Sequence, residues 1–290
     1  MAVDTFIPEV WNAELLTTLT ENYVLAAPGA VNRDYEGTIA NGGDTVNIGS
    51  LTDPTVSSYV KNVTAIDPQT LTTTNQTLLI DQSKYFAFEV DDVDQRQVMN
   101  GGRLLTVAAQ RAAIKLQELA DTYVGTLMTT NAGTVLTAAG VATSGAAVAT
   151  VLRLKVALDR ANVPQAGRFI AASPEFYALL VGDTRFQDAS TTGGGSSLVN
   201  GNVGRIYGFD VRVSTNLPAG TAGTLPAVSS FIIAGHPMAT TFAEQISKTE
   251  AYRPDNSFSD AIKGLHLYGA KVIRPEALAV IDADVTVPTS

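Results

Sequence analysis

The sequence predicts an α+β protein, and three observations predict it. Gly43 to Val90 reads as a long ribbon, one uninterrupted amphipathic helix follows from about Arg103 to Met128, and the second half mixes short helices with short apolar strands. The ribbon holds too little apolar material to build a core of its own, so some other surface must cover it. In a chain that lacks every strong catalytic motif, the natural cover is another copy of the same chain.

Composition sets the bounds. With 290 residues and 45% hydrophobic content there is room for one large domain or two ordinary ones. Charged residues make up only 16%, which leaves a surface of Thr, Ser, Asn, Ala and Gly that contacts can bury at little desolvation cost. A net charge of −9 argues against a continuous phosphate-neutralising patch. The stretch Met1 to Glu36 holds six acids (Asp4, Glu9, Glu14, Glu21, Asp34, Glu36) against the single base Arg33, which marks either a segment that docks on a complementary surface or a solvated acidic arm. The chain has no cysteine, so disulfides, zinc knuckles and thiol nucleophiles are excluded. Its start lacks the basic and apolar regions of a signal peptide, and no window approaches the roughly 20 apolar residues of a membrane span. The expectation is a protein folded in a cytoplasm, with no membrane partner.

Taken in order, Pro8 to Leu25 alternates apolar and acidic residues at helical spacing and stops at Ala27-Pro28-Gly29, a short helix on an arm. Asn41-Gly42-Gly43-Asp44 is a turn, and Val46 and Ile48 then alternate as in a strand. Asp53 to Pro68, poor in large apolar side chains, is the tip of the excursion; Leu71 to Ile80 and Tyr85 to Val90 return from it, with Phe86, Phe88 and Val90 on one face. Asp91, Asp92 and Asp94 suit the positive end of the long helix that follows. Its stripe includes Leu105, Ala112, Leu116, Leu119 and Tyr123, while Lys115, Glu118 and Asp121 take the other face. At 1.5 Å per residue it is on the order of 40 Å long, a spine for a whole domain.

Ala132 to Ala149 reads as a small-residue linker, followed by a helix over about Ala147 to Ala161 and a buried strand Phe169 to Ala172. Ser173-Pro174-Glu175 has the N-cap, first-turn proline and early acid of a helix start, with the helix running to Leu180. Thr191 to Gly195 is a mobile loop, Phe209 to Val213 a strand, and Phe231 to Ala234 a strand in the middle of a sheet. Leu265 to Ile273 and Ala277 to Val287 form a final strand pair.

Little in the sequence carries chemistry. His236 and His266 stand without HExxH spacing, G-x-S-x-G is absent, and the glycines at 193–195 lack the Gly-Lys-Ser/Thr ending of a phosphate loop. The acids at 91–94 lack the spacing and final Glu of a calcium loop. No cofactor and no metal are expected. A hydrolase using Ser173 or another Ser with His236, and a phage tail or surface-binding module, are the alternatives from other classes, and no spacing supports the first.

The order of parts resembles the major capsid proteins of tailed bacteriophages, with the Hong Kong 97 phage-type fold. The stretches that carry the resemblance are Gly43 to Ile48 entering the ribbon, Ile80 to Phe88 leaving it, Val163 to Arg168, Gly204 to Phe209, and Tyr268 to Val272. It implies an N-arm (1–36), an extended β-hairpin or E-loop (37–90), a P-domain with the spine helix (91–134), a mixed α/β A-domain (135–264) and returning P-domain strands (265–290). It also implies a structural, non-enzymatic subunit that forms pentamers and hexamers in an icosahedral shell around double-stranded DNA, assembled in the host cytoplasm and ending in the virion. The implied partners are further copies of the chain, a scaffolding protein, a portal, a terminase motor and, in some relatives, a decoration protein.

The arm begins almost at Met1, so the scaffold is expected to be a separate protein. Some relatives weld subunits through lysine, but nothing marks Lys61 or Lys84, the E-loop lysines, as reactive. Both are expected at contacts between subunits, Lys61 near Glu276 or Asp282 of a neighbour. The acidic balance suits an inner wall that repels DNA, enclosing it without sequence-specific binding. An encapsulin-like compartment of the same fold, holding protein cargo, is the alternative within the structural class.

Overall fold

A helix with apolar residues every three or four positions has one dry face, and the molecule is arranged around the longest such helix. The computed structural model describes residues 23–34, 45–51, 54–63, 68–70, 72–91, 104–183, 204–220, 227–255 and 259–286. Helix α1 spans Leu104–Thr130, and its buried stripe is Ala109, Ala113, Leu116, Ala120, Val124 and Met128. Ala112 and Tyr123 flank it half-buried, and Leu105 is helical with its side chain outside the described residues. Leu119, expected in the stripe, is instead 50% exposed. At 100° per residue it lies about 100° from the stripe's centre, between Ala113 and Ala120, so the correction follows from helix geometry.

The described strands form three sheets. Strands β1 (Thr45–Leu51) and β2 (Thr73–Leu79) pair antiparallel as an isolated ribbon, from Thr45 opposite Leu79 to Leu51 opposite Thr73. Strand β3 (Gln82–Asp91) leaves that ribbon and joins β10 (Ser259–Val272), which in turn pairs with β9 (Thr240–Tyr252), giving the order β3-β10-β9. The third sheet has six strands in the order β4-β11-β8-β5-β7-β6. They are β4 (Thr134–Val141), β5 (Phe169–Ala172), β6 (Arg205–Ile206), β7 (Phe209–Val213), β8 (Ala227–Gly235) and β11 (Leu278–Thr286). Helices α2 (Ser144–Arg160) and α3 (Pro174–Val181) pack with it.

Local chemistry explains several boundaries. Thr143 caps α2 by accepting the Ala146 N–H, and Ser173 caps α3 by accepting the Phe176 N–H ahead of Pro174. Strand β5 is buried at every residue, as a central strand covered on both faces must be. Gly269 is required by close approach: a Cβ there would lie 2.3 Å from the Leu79 carbonyl oxygen, where β10 passes under the root of the ribbon.

Three expectations are corrected. The small-residue stretch after α1 is strand β4 and the start of α2, because pairing with β11 overrides weak strand propensity. The last two strands are not partners: β10 lies between β3 and β9, whereas β11 lies between β4 and β8. Asp121, placed by periodicity on the wet face, is fully buried. The arm helix up to residue 22, the turn at Asn41–Asp44, the acids Asp92 and Asp94 and the loop Thr191–Gly195 lie outside the described residues.

The corrected stripe can be checked by denaturant unfolding. Leu116→Ala should cost about 2–5 kcal/mol by opening a cavity under α1, whereas Leu119→Ala should stay within about 0.5 kcal/mol. Equal losses would show that the stripe is misassigned.

Candidate assembly surface

The residues that hold this subunit together also define what it leaves open. Residues 23–34 run across the spine, and Asp121 accepts hydrogen bonds from three successive backbone amides there: Val24 (3.0 Å), Leu25 (3.2 Å) and Ala26 (2.9 Å). Burial pushes the Asp121 carboxyl up, against the pull of those amides and of Arg212. The Arg212 guanidinium holds the other side of the segment, donating to the carbonyls of Val24 (3.2 Å) and Pro28 (3.3 Å). Leu25 fits against Gly125, where a Cβ would come within 3.0 Å of it.

A second carboxylate closes both ends of the same segment. Glu244 on β9 accepts from the Tyr23 hydroxyl (2.6 Å), from Arg33 and from His266 Nε2 (3.1 Å). Arg33 lies over the rings of Tyr23 (5.6 Å) and Phe242 (5.4 Å), which adds cation–π attraction in a buried setting. Burial alone would raise the Glu244 carboxyl, but the His266 hydrogen bond, the Arg33 charge and the Tyr23 hydroxyl together hold it below the usual range. Asn32 then pairs with β9, its amide donating to the Thr240 carbonyl (2.8 Å) and its carbonyl accepting from the Phe242 amide (3.0 Å).

Among the described residues the ribbon is bolted down at its root. Lys271 Nζ donates to the Thr77 carbonyl (2.8 Å), Gln76 Nε2 to the Ile273 carbonyl (3.3 Å) and the Tyr123 hydroxyl to Asp81 (3.2 Å). Burial and the adjacent Asp81 push the Tyr123 hydroxyl up to about 12. A small cluster of Ile48, Leu78, Ile80, Ala243 and Leu267 fills the junction. Beyond it, every described residue of the tip from 54 to 63 is exposed, and these include Val56 (93%), Tyr59, Val60 and Val63 (80%). The tip is therefore richer in exposed apolar groups than its sequence suggests.

The predicted contact residues are scattered. Lys61 is exposed on the tip, Lys84 is half-buried on β3 opposite His266, and Glu276 is exposed in the turn before β11. Asp282 is corrected: it is buried in β11, which is covered on both faces, and it accepts from Ser229 Oγ at 2.7 Å. The histidines serve the fold. His236 Nδ1 accepts from the Met238 amide, which leaves Nε2 to donate to the Ala166 carbonyl, and burial lowers its proton affinity. Among the described residues no group of three His, Cys, Asp or Glu is placed to hold a metal ion, and no helix is long and apolar enough to cross a membrane.

A fold whose polar interior is spent on anchoring, and whose ribbon projects with an apolar tip, defines an assembling structural subunit. Comparison with known proteins gives the family. The phage capsid protein family matches residues 73–281, and the chain belongs to it as a structural major capsid protein. A solved structure from Mycobacterium phage Che8 is 31% identical over 87% of this chain and 88% of its own, with a TM-score of 0.73. The capsid structure of the cyanophage P-SCSP1u is 16% identical over 84% of each chain, with a TM-score of 0.68. A virus-like particle from Pyrococcus furiosus shares the fold at 13% identity and a TM-score of 0.60, covering 95% of this chain and 99% of its own. No curated protein matches the chain.

The Glu244 clamp makes a pH prediction. Since the folded carboxyl titrates below the unfolded one, its stabilisation is full above the ordinary glutamate value near about 4.3 and is lost as pH falls through the folded value. Glu244→Gln should be less stable than the parent at about pH 6, and urea unfolding should show the gap narrowing below about pH 4. A gap that widens toward acid would contradict the clamp.

Proposed function

We propose that this chain builds, from pentamers and hexamers of itself, an icosahedral shell that encloses double-stranded DNA. The single observation that carries this reading is the ribbon of β1 and β2, which forms a two-stranded sheet of its own and ends in an exposed apolar tip. An isolated two-stranded ribbon is marginal in water, so a neighbouring subunit supplies its cover. The subunit serves as a structural protein and not as an enzyme, as its capsid-family membership supports. The parts take the family's roles: N-arm 1–36, E-loop 37–90, P-domain 91–134, A-domain 135–264 and returning strands 265–290. Assembly takes place in the host cytoplasm with a separate scaffolding protein and a portal. Lys61 reaches Glu276 of an adjacent subunit as an exposed pair worth about 1 kcal/mol or less.

The net charge of −9 supports DNA as the contents, since an acidic wall leaves phosphates unbound and the genome free to condense. Neither E-loop lysine has a described activating partner, so the shell is held without covalent welds.

Electron microscopy of the protein expressed with scaffolding should show closed particles of one size class. Replacing Val56 to Ala65 by a short glycine bridge should leave a folded subunit with near-normal circular dichroism and no stable particles. Particles from the shortened chain at normal yield would remove the ribbon from assembly, and a compact monomer from the full chain, even with scaffold, would refute the shell.

A further inference from the structure

The six-stranded sheet has two unlike ends. At one end, β7 and β6 lie beside the pinned segment, because Arg212 of β7 holds Val24 and Pro28. At the other end β4 is an edge strand, paired with β11 on one side and with no strand on the other among the described residues. Four strand spacings of about 4.8 Å separate β7 from β4, on the order of 19 Å.

Along the β4 edge runs an open groove of about 620 Å³ between the strand and α2, lined by Thr134, Leu136, Leu152, Arg153, Val156 and Arg160 among others. Its apolar wall is Leu136 of the strand and the outer stripe of α2, where Leu152 (38% exposed) and Val156 (48%) stand one turn apart. Its charge is positive. Arg160 makes no ion pair among the described residues, and Arg153 donates only to the Thr137 carbonyl. The nearby acid, Asp159, is already paired with the buried Arg168 at 2.7 Å. Such a site takes an apolar segment carrying acids and no bases.

One segment of this chain has that composition. Residues 1–22, outside the described residues, hold Asp4, Glu9, Glu14 and Glu21 with no Lys or Arg, interleaved with Phe6, Ile7, Val10, Trp11, Leu15, Leu16 and Leu19. They join the described body at Tyr23, on the β7 side of the sheet, and 22 residues reach at most roughly 70–80 Å when extended. We propose that the groove between β4 and α2 receives the acidic segment 1–22 of an adjacent copy, so that the arm leaving one end of each sheet docks on the opposite end of the next. That arrangement is a head-to-tail contact, the kind that closes into rings when the rotation permits. Opposite charges at the contact would fix which copy and which register are accepted. The proposal rests on the shell reading above.

The absence of cysteine makes a clean test possible. Leu15→Cys and Val156→Cys chains are prepared separately, co-assembled in equal amounts and oxidised, with Leu19→Cys and Leu152→Cys as a second pair and Glu175→Cys as a control partner. The expected result is a disulfide-linked dimer in which mass spectrometry finds peptides 15 and 156 joined, reduced about tenfold when the Val156→Cys chain also carries Arg153→Glu and Arg160→Glu. In the unsubstituted chain the only tryptophan, Trp11, should emit at shorter wavelength in particles than in subunits, and the Arg153→Glu, Arg160→Glu variant should lose that shift. Particles that form with neither pair linked above the control, or with no change in Trp11 emission, would overturn the docking while leaving the shell intact. Failure of the unsubstituted chain to form particles would instead overturn the shell reading.

Discussion

A two-stranded ribbon cannot bury both of its faces, and the rest of this structure follows from that constraint. Strands β1 and β2 pair with each other, and their described anchors to the body lie at the root: the Ile48, Leu78, Ile80, Ala243 and Leu267 cluster and the hydrogen bonds of Lys271 and Gln76. The main core is built by α1, the six-stranded sheet and its helices, with residues of β9, β10 and the 23–31 segment, and no residue of β1 or β2 is in it. Tip residues such as Val56 and Val63 therefore stay in water in a single subunit, at a cost that only association removes.

Against that open excursion stand two buried carboxylates that anchor residues 23–34. Asp121 replaces water for three amides, and Glu244 gathers a phenol, a guanidinium and an imidazole around one side chain. Buried charges of this kind are costly unless fully hydrogen-bonded, so they fix one geometry more than they add stability. Their effect is to make residues 23–34 part of the folded body. At the root of the ribbon, Asp81 meets Tyr123 in the same way.

How much of this the sequence carried depended on how repetitive each signal was. Helix α1 was legible because its periodicity is sustained over 27 residues. Strands β5 and β8 were legible because a short, continuous apolar run is what a strand covered on both faces requires. Strand β9 was not, since Thr240 to Tyr252 mixes charged and polar residues and becomes a strand only through its register with β10. Strand β4 was hidden by its Thr, Ala and Gly content. Among site residues, Lys61 and Glu276 lie exposed as charged surface residues do, but Asp282 faces Ser229 inside its own sheet. Asp121 and Glu244 were missed for a general reason: charged residues default to solvent, and only the unsatisfied amides of a distant segment bring them inside.

The central claim is that the subunit folds around its spine while the ribbon is ordered by its neighbours. Hydrogen exchange read by mass spectrometry on the same chain, first as dispersed subunit and then as closed particle, tests it most directly. Peptides from α1, β5 and β8 should be protected alike in both states. Peptides covering residues 45–79 should exchange fast in the subunit and slow by at least about a hundredfold in the particle, the mark of local opening that association suppresses. Equal protection of the ribbon in both states would mean that it folds against its own subunit, and the account would fail.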